Sequence, residues 1–189
     1  MDINEIIKSC LLSELTSYEH IHFVHTEKDV PSTGKAIYQA WLSSTLNGQP
    51  FPVFSGANDK EKLYFTPEIN LLYRTLHDIH HAEAYLLGWG TTKIEDEKKL
   101  NCKMAYTLYA QALKKYGLTE ALEVFFKVYH DTVGQVIYYQ KNKTFCEDQK
   151  AHTAHLVGCC EGLKFLAKGQ ISLAQKILQG YLNECNFNV

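Results

Sequence analysis

The segment Thr66-Pro67-Glu68-Ile69-Asn70-Leu71-Leu72-Tyr73-Arg74-Thr75-Leu76-His77-Asp78-Ile79-His80-His81-Ala82 announces a helix three times over before its first apolar residue. Thr66 offers a capping hydroxyl. Pro67 suits the first helical position, where its missing N–H would have had no partner, and Glu68 places a carboxylate beside the positive end of the helix dipole. Behind them Ile69, Leu72, Tyr73, Leu76, Ile79 and Leu87 recur at helical spacing and make one apolar stripe. The pattern predicts a helix running to Gly88 or Gly90.

Downstream the same periodicity continues. Helices are expected over Asp96 to Tyr116, stopped by Gly117; from Thr119 to about Gln140; from Glu147 to Lys168, ended by Gly169; and from a Ser172 cap to Cys185. The last two should form an antiparallel hairpin. Upstream, residues 3 to 18 read as an amphipathic helix through Ile6, Ile7, Cys10, Leu11 and Leu15. Ile21 to His25 is too short and too alternating for a helix and suits a β-segment or an extended connector. Ser32 can cap a helix carrying Ile37, Ala40, Trp41 and Leu42 and ending at Asn47-Gly48. Phe51 to Phe54 is then extended, and Ser55 to Asp59 is a loop. The expectation is a mainly α, single-domain helical bundle over residues 1–189, with N-terminal helices and extended loops in 1–65 and a helical core in 66–189.

Composition agrees with one globular domain. The chain has 189 residues, 46% of them apolar, and a net charge of −2. A chain of this length buries enough surface to fold without disulfides or a structural metal. Its charge supplies no basic field for a phosphate backbone, so nucleic-acid binding is not expected. No basic n-region opens the sequence and no apolar run reaches membrane-spanning length, so no signal peptide or membrane partner is expected and the protein is read as cytoplasmic. The six cysteines form no CxxC pair and are read as reduced thiols, small buried hydrophobes on helices. No phosphate-binding glycine frame and no G-x-S-x-G nucleophile frame is present.

Nine histidines call for a different explanation, because stability does not need them. His77 and His81 lie one helical turn apart, flanking the apolar stripe, with the small residues Ala84 and Gly88 beside them. Two imidazoles so placed can reach one metal ion. Asp78 follows the first of them, giving H-D-x-x-H where zinc hydrolases carry H-E-x-x-H. It is a candidate general base, or a carboxylate that orients a ligating imidazole. A third ligand is required. Asp131 is the first candidate, because its helix is apolar on both sides and a buried carboxylate must be paired or coordinated. Gln135 lies one turn from it, and Gly134 leaves room beside both. His130 is a rival ligand, and Glu97 is a reserve ligand together with Glu95 in the acidic run Glu95-Asp96-Glu97. Asp148, His152, His155 and Cys159 share a face of a later helix and are read as core residues.

The segment Asn70 to His81, preceded by Val53-Phe54 and Thr66-Pro67-Glu68, resembles a loosely defined group of phage and bacterial proteins. That group is built round N-x-x-[FY]-R-x-x-H-D with a further histidine, and has a later helix reading E-x-x-G-Q. Here Asp131 to Gln135 takes the place of that helix. The resemblance implies that His77, Asp78, His81, Asp131 and Gln135 act as one site, and implies no particular reaction.

The function expected from these residues is that of a metal-dependent hydrolase with a zincin-like helix motif. It would use zinc or another divalent ion on an unknown substrate, with Asp78 and Gln135 as catalytic groups and Arg74 as an anion contact. Two alternatives stand beside it: a non-enzymatic helical interaction protein whose histidines are structural, and a helical iron or di-metal protein. For the latter, no pair of E-x-x-H helices is visible.

Overall fold

The computed structural model describes residues 1–91 and 93–187. The chain is mainly α-helical, with 70% of the described residues in helices. Asp2 caps α1 (Ile3–Leu15) by accepting from the Asn4 amide, and one 3-10 turn over Thr16–Tyr18 extends that helix. β1 (Phe23–Thr26) follows, then α2 (Gly34–Asn47) and β2 (Phe51–Phe54). The two strands pair in parallel, Phe23 opposite Phe51 and Thr26 opposite Phe54. The cap of α2 is Thr33, whose hydroxyl accepts from the Ala36 amide, one residue later than the expected Ser32. Its end is as expected, with Gly48 left-handed at φ 65°.

Thr66 caps α3 (Pro67–Leu86) through its hydroxyl, which accepts from the Ile69 amide. The helix stops at Leu86, before the two glycines. Gly88 and Gly90 then take φ of +85° and +79°, which lets the chain reverse within a few residues into α4 (Ile94–Tyr116). Gly117, at φ +102°, turns α4 directly into α5 (Leu118–Asn142). α4 and α5 form the central hairpin, α1 packs across α3, α4 and α5, and α2 lies on α3.

Beyond α5 the expected single helix over 147–168 is two: α6 (Gln149–Cys159) and α7 (Glu161–Ala167). Cys160 breaks it with extended backbone at φ −60°, ψ 114°. The redirected chain brings Gly162 against the ring of Phe126, closer than any residue with a Cβ could come. α8 (Ile171–Glu184) packs back on α7 and α5. Its N-cap position is Gln170, so Ser172 lies inside the first turn and is not the cap.

One large core joins Ile6, Ile7, Cys10 and Leu11 of α1 to Leu76, Leu108, Leu122, Phe125, Phe126 and Leu182. A smaller one, Ile21, Ile37, Phe51, Val53 and Ala82, ties the strand pair and α2 to the far side of α3. α3 therefore carries a core on each of two faces, and the flank between them holds His77 and His81. All six cysteines are free thiols. Among the described residues no helix is long and apolar enough to cross a membrane.

Candidate metal centre

His77 and His81 project from α3 one turn apart, their rings 4.7 Å between centroids and nearly perpendicular. The reversal after α3 runs α4 back alongside them, so the first turns of α4 face the last turns of α3. Glu97, one turn into α4, thereby reaches both imidazoles. Its Oε1 lies 3.1 Å from His81 Nε2 and its Oε2 lies 3.5 Å from His77 Nε2. His77, His81 and Glu97 offer one ligand atom each, all within 4.8 Å of one another, and can hold a metal ion. Donors arranged about an ion at 2.0–2.2 Å stand about 3.4 Å apart in tetrahedral geometry. The two nitrogen–oxygen separations, each to its own carboxylate oxygen, are of that size.

Of the other ring nitrogens, that of His81 is hydrogen-bonded and that of His77 has a carboxylate nearby. His81 Nδ1 lies 3.1 Å from the carbonyl oxygen of Gly90. A carbonyl only accepts, so Nδ1 carries the proton and donates, which turns Nε2 toward Glu97. His77 Nδ1 faces Asp78 Oδ1 at 3.9 Å. Asp78 thus stands on the Nδ1 side of His77, away from the Nε2 that faces Glu97. The Tyr73 ring stacks on His77, and its hydroxyl donates to Asn101 Oδ1 at 2.7 Å. Asn101 in turn donates to the Glu97 carbonyl at 2.8 Å, which links the support of His77 to the helix that carries Glu97.

Burial disfavours the charged form of His77, but Asp78 and Glu97 outweigh burial and raise its pKa to about 9. Burial also opposes ionisation of Glu97, and the two imidazoles overcome it, lowering its pKa to about 2. His80, the third histidine of the motif, is different. It is 4% exposed, its Nδ1 has no partner, and burial lowers its pKa to about 3, so it is neutral.

The chain matches no family model, no curated protein and no solved structure. Its chemistry rests on the residues themselves.

The remaining expected site residues lie elsewhere. Asp131, the first candidate for third ligand, is outside the ligand group: its carboxylate accepts from Thr153 of α6 at 2.8 Å. The partner that a buried carboxylate requires is a hydroxyl, and the carboxylate beside the two histidines is that of Glu97. Gln135 has both carboxamide atoms buried without a partner. Gly134 gives its space to the Leu156 side chain, with His152 Nε2 beyond it at 4.0 Å from where a Cβ would stand. His130 meets the Tyr181 hydroxyl at 3.4 Å and lines a groove of about 350 Å³ with Leu156, Cys160 and Ile177. Glu95 is exposed and outside the ligand group. Arg74, expected as an anion contact, donates instead to the carbonyls of Phe54, Gly56 and Ala57 and pins the loop after β2. His152 packs edge-on against Tyr138, and exposed His155 pairs with Cys159.

Two contributors escaped the sequence reading. Gly90 enters through its backbone carbonyl, which no side-chain motif reports. Asn101 leaves a signal only once α3 and α4 are known to be antiparallel neighbours.

Proposed function

We propose that this chain is a metal-dependent hydrolase whose ion, zinc by the chemistry of the donor set, is held by His77, His81 and Glu97. The observation that carries the proposal is the convergence of two imidazole Nε2 atoms from one helix and a carboxylate from the next, with His81 fixed by Gly90 behind it. Two imidazoles in their neutral form, His77 giving up its proton to the ion, together with one carboxylate would leave a coordination position for water or substrate, as catalytic and not closed structural sites do. An ion held there would supply Lewis-acid chemistry, polarising a carbonyl or phosphoryl oxygen and lowering the pKa of a bound water.

The chain's own groups hold and orient. Asp78 and the Tyr73 ring fix His77, the Gly90 carbonyl fixes His81, and Asn101 braces the first turns of α4 around Glu97. Asp78 sits behind His77, which assigns it to orienting that ring in preference to the general-base role.

Metal content of tag-free protein, with Co²⁺ substitution read by its visible absorption, tests the proposal. One ion per chain is expected in the wild type, with affinity reduced at least a hundredfold in His81→Ala and Glu97→Gln. Ester, amide and phosphoester probes should be hydrolysed by the loaded wild type and not by these variants. A wild type that takes up neither Zn²⁺ nor Co²⁺, with the same result in both variants, would leave the histidines as structural ion-pair partners of Glu97 and end the hydrolase reading.

A further inference from the structure

We infer that Gly34, the first residue of α2, is a positioning residue of the metal centre, acting through the Gly90 carbonyl on His81. The inference rests on the reading of the triad as a metal site. Its own content is how the second imidazole is held, and that can be measured without metal.

The chain of contacts is short. His81 is buried at 2% exposure, and its Nδ1–H donates to the Gly90 oxygen. That oxygen is pressed from outside by Gly34: a Cβ built there would collide with it, and would lie 3.3 Å from both the Gly90 carbonyl carbon and Tyr85 Cδ2. From inside, Gly90 is wedged against the end of α3. A Cβ on Gly90 would fall 2.6 Å from the Ala84 Cβ and 2.8 Å from the Tyr85 nitrogen, and its φ of +79° disfavours any other residue. Gly34 and the end of α3 thus hem in the buried Gly90 carbonyl group from two sides, and its oxygen accepts from His81. The Trp89 amide donates to the Ala84 carbonyl at 3.0 Å and closes the same turn.

Glycine is a poor choice for the first turn of a helix on conformational grounds, since it loses the most freedom on folding. At position 34 contact explains it. α2 is seated on α3 by Ile37 and the strand pair, so its N-terminus acts as a stop that keeps the Gly90 carbonyl aimed at Nδ1. With the carbonyl in place Nδ1 keeps its proton, and Nε2 is the nitrogen that faces Glu97 and the ion. Displace the carbonyl and the ring loses both its orientation and its preference for that tautomer.

The test uses full-length ¹⁵N-labelled protein. In metal-free wild type the His81 Nδ1 proton should be visible by NMR and protected from solvent exchange. In folded Gly34→Ala that protection should be lost and Zn²⁺ affinity, measured by chelator competition, should fall about 10- to 100-fold. Gly180→Ala, at a helix position with open space, should match wild type in both readouts. A folded Gly34→Ala with an unchanged Nδ1 proton and unchanged affinity overturns the inference, as does a wild type in which Nδ1 carries no protected proton. Should Gly34→Ala not fold, Ile37→Val loosens α2 without adding an atom at position 34. Nδ1 exchange several-fold faster than wild type supports the inference, and exchange unchanged overturns it. A wild type that binds no zinc would remove the metal reading and leave the proton measurement to decide this one.

Discussion

Asp131 carries a proton more readily in the folded chain than in the unfolded one. Burial raises its pKa to about 6, and the Thr153 hydroxyl limits the rise. A raised carboxylate contributes stability that is complete below the unfolded pKa, near 4, and is lost as pH climbs through 6. Asp131→Asn keeps an acceptor for Thr153 and removes the charge. Urea melts should therefore show the variant close to wild type at pH 4 and more stable by about 2 kcal/mol at pH 7.5. Equal stability of the two proteins at both pH values would show that the carboxylate is not a buried charge. The sequence rightly marked Asp131 as a carboxylate in need of a partner. It held no means of choosing between a metal and a hydroxyl twenty-two positions away on another helix.

At the scale of elements, the break at Cys160 sets how α7 meets α5. Gly162 lies on the fully buried ring of Phe126, with ring carbons at 2.5 and 2.6 Å from the place of a Cβ. An added methyl has nowhere to go. Gly162→Ala should cost about 1–3 kcal/mol in thermal or urea unfolding, while Gly180→Ala on α8 should be neutral or stabilising by up to about 1 kcal/mol. This break was not legible because nothing local demands it: residues 147–168 contain no proline, and their apolar spacing suits one helix. Tertiary contact with Phe126 decides instead. The start at Thr66, and the ends at Gly48 and Gly117, were closer to legible because caps and positive-φ glycines are local chemistry. Glu97 lies between these cases. Its acidic run suits a helix N-terminus, and only the tight reversal through Gly88 and Gly90, which sets His81 and Glu97 at similar distances from the turn, points it at the histidines.

Across the whole molecule, the candidate centre joins α3, which carries both cores, to the central α4–α5 hairpin. An ion bound to the native state alone stabilises it by about 2.7 kcal/mol at a hundredfold excess over its dissociation constant. Zinc addition should therefore raise the melting temperature of wild type, and EDTA should reverse the rise. His81→Ala should melt at one temperature in both. A wild-type melting temperature indifferent to zinc and to chelator would contradict a site that bridges these elements.

The position of the donors along the chain has a kinetic consequence. His77, His81 and Glu97 all fall inside one helical hairpin, whereas the Gly34 stop arrives from an element far earlier in sequence, and contacts of that kind close late during folding. A refolding chain therefore assembles its ligands before it assembles the support behind His81. Zinc present from the start should speed refolding, because it favours the hairpin that carries all three donors. An ion in the folded molecule should be released only slowly while α2 is seated on α3, so the docking of a helix that contributes no ligand, and not the ligand set alone, governs how long the chain keeps its metal.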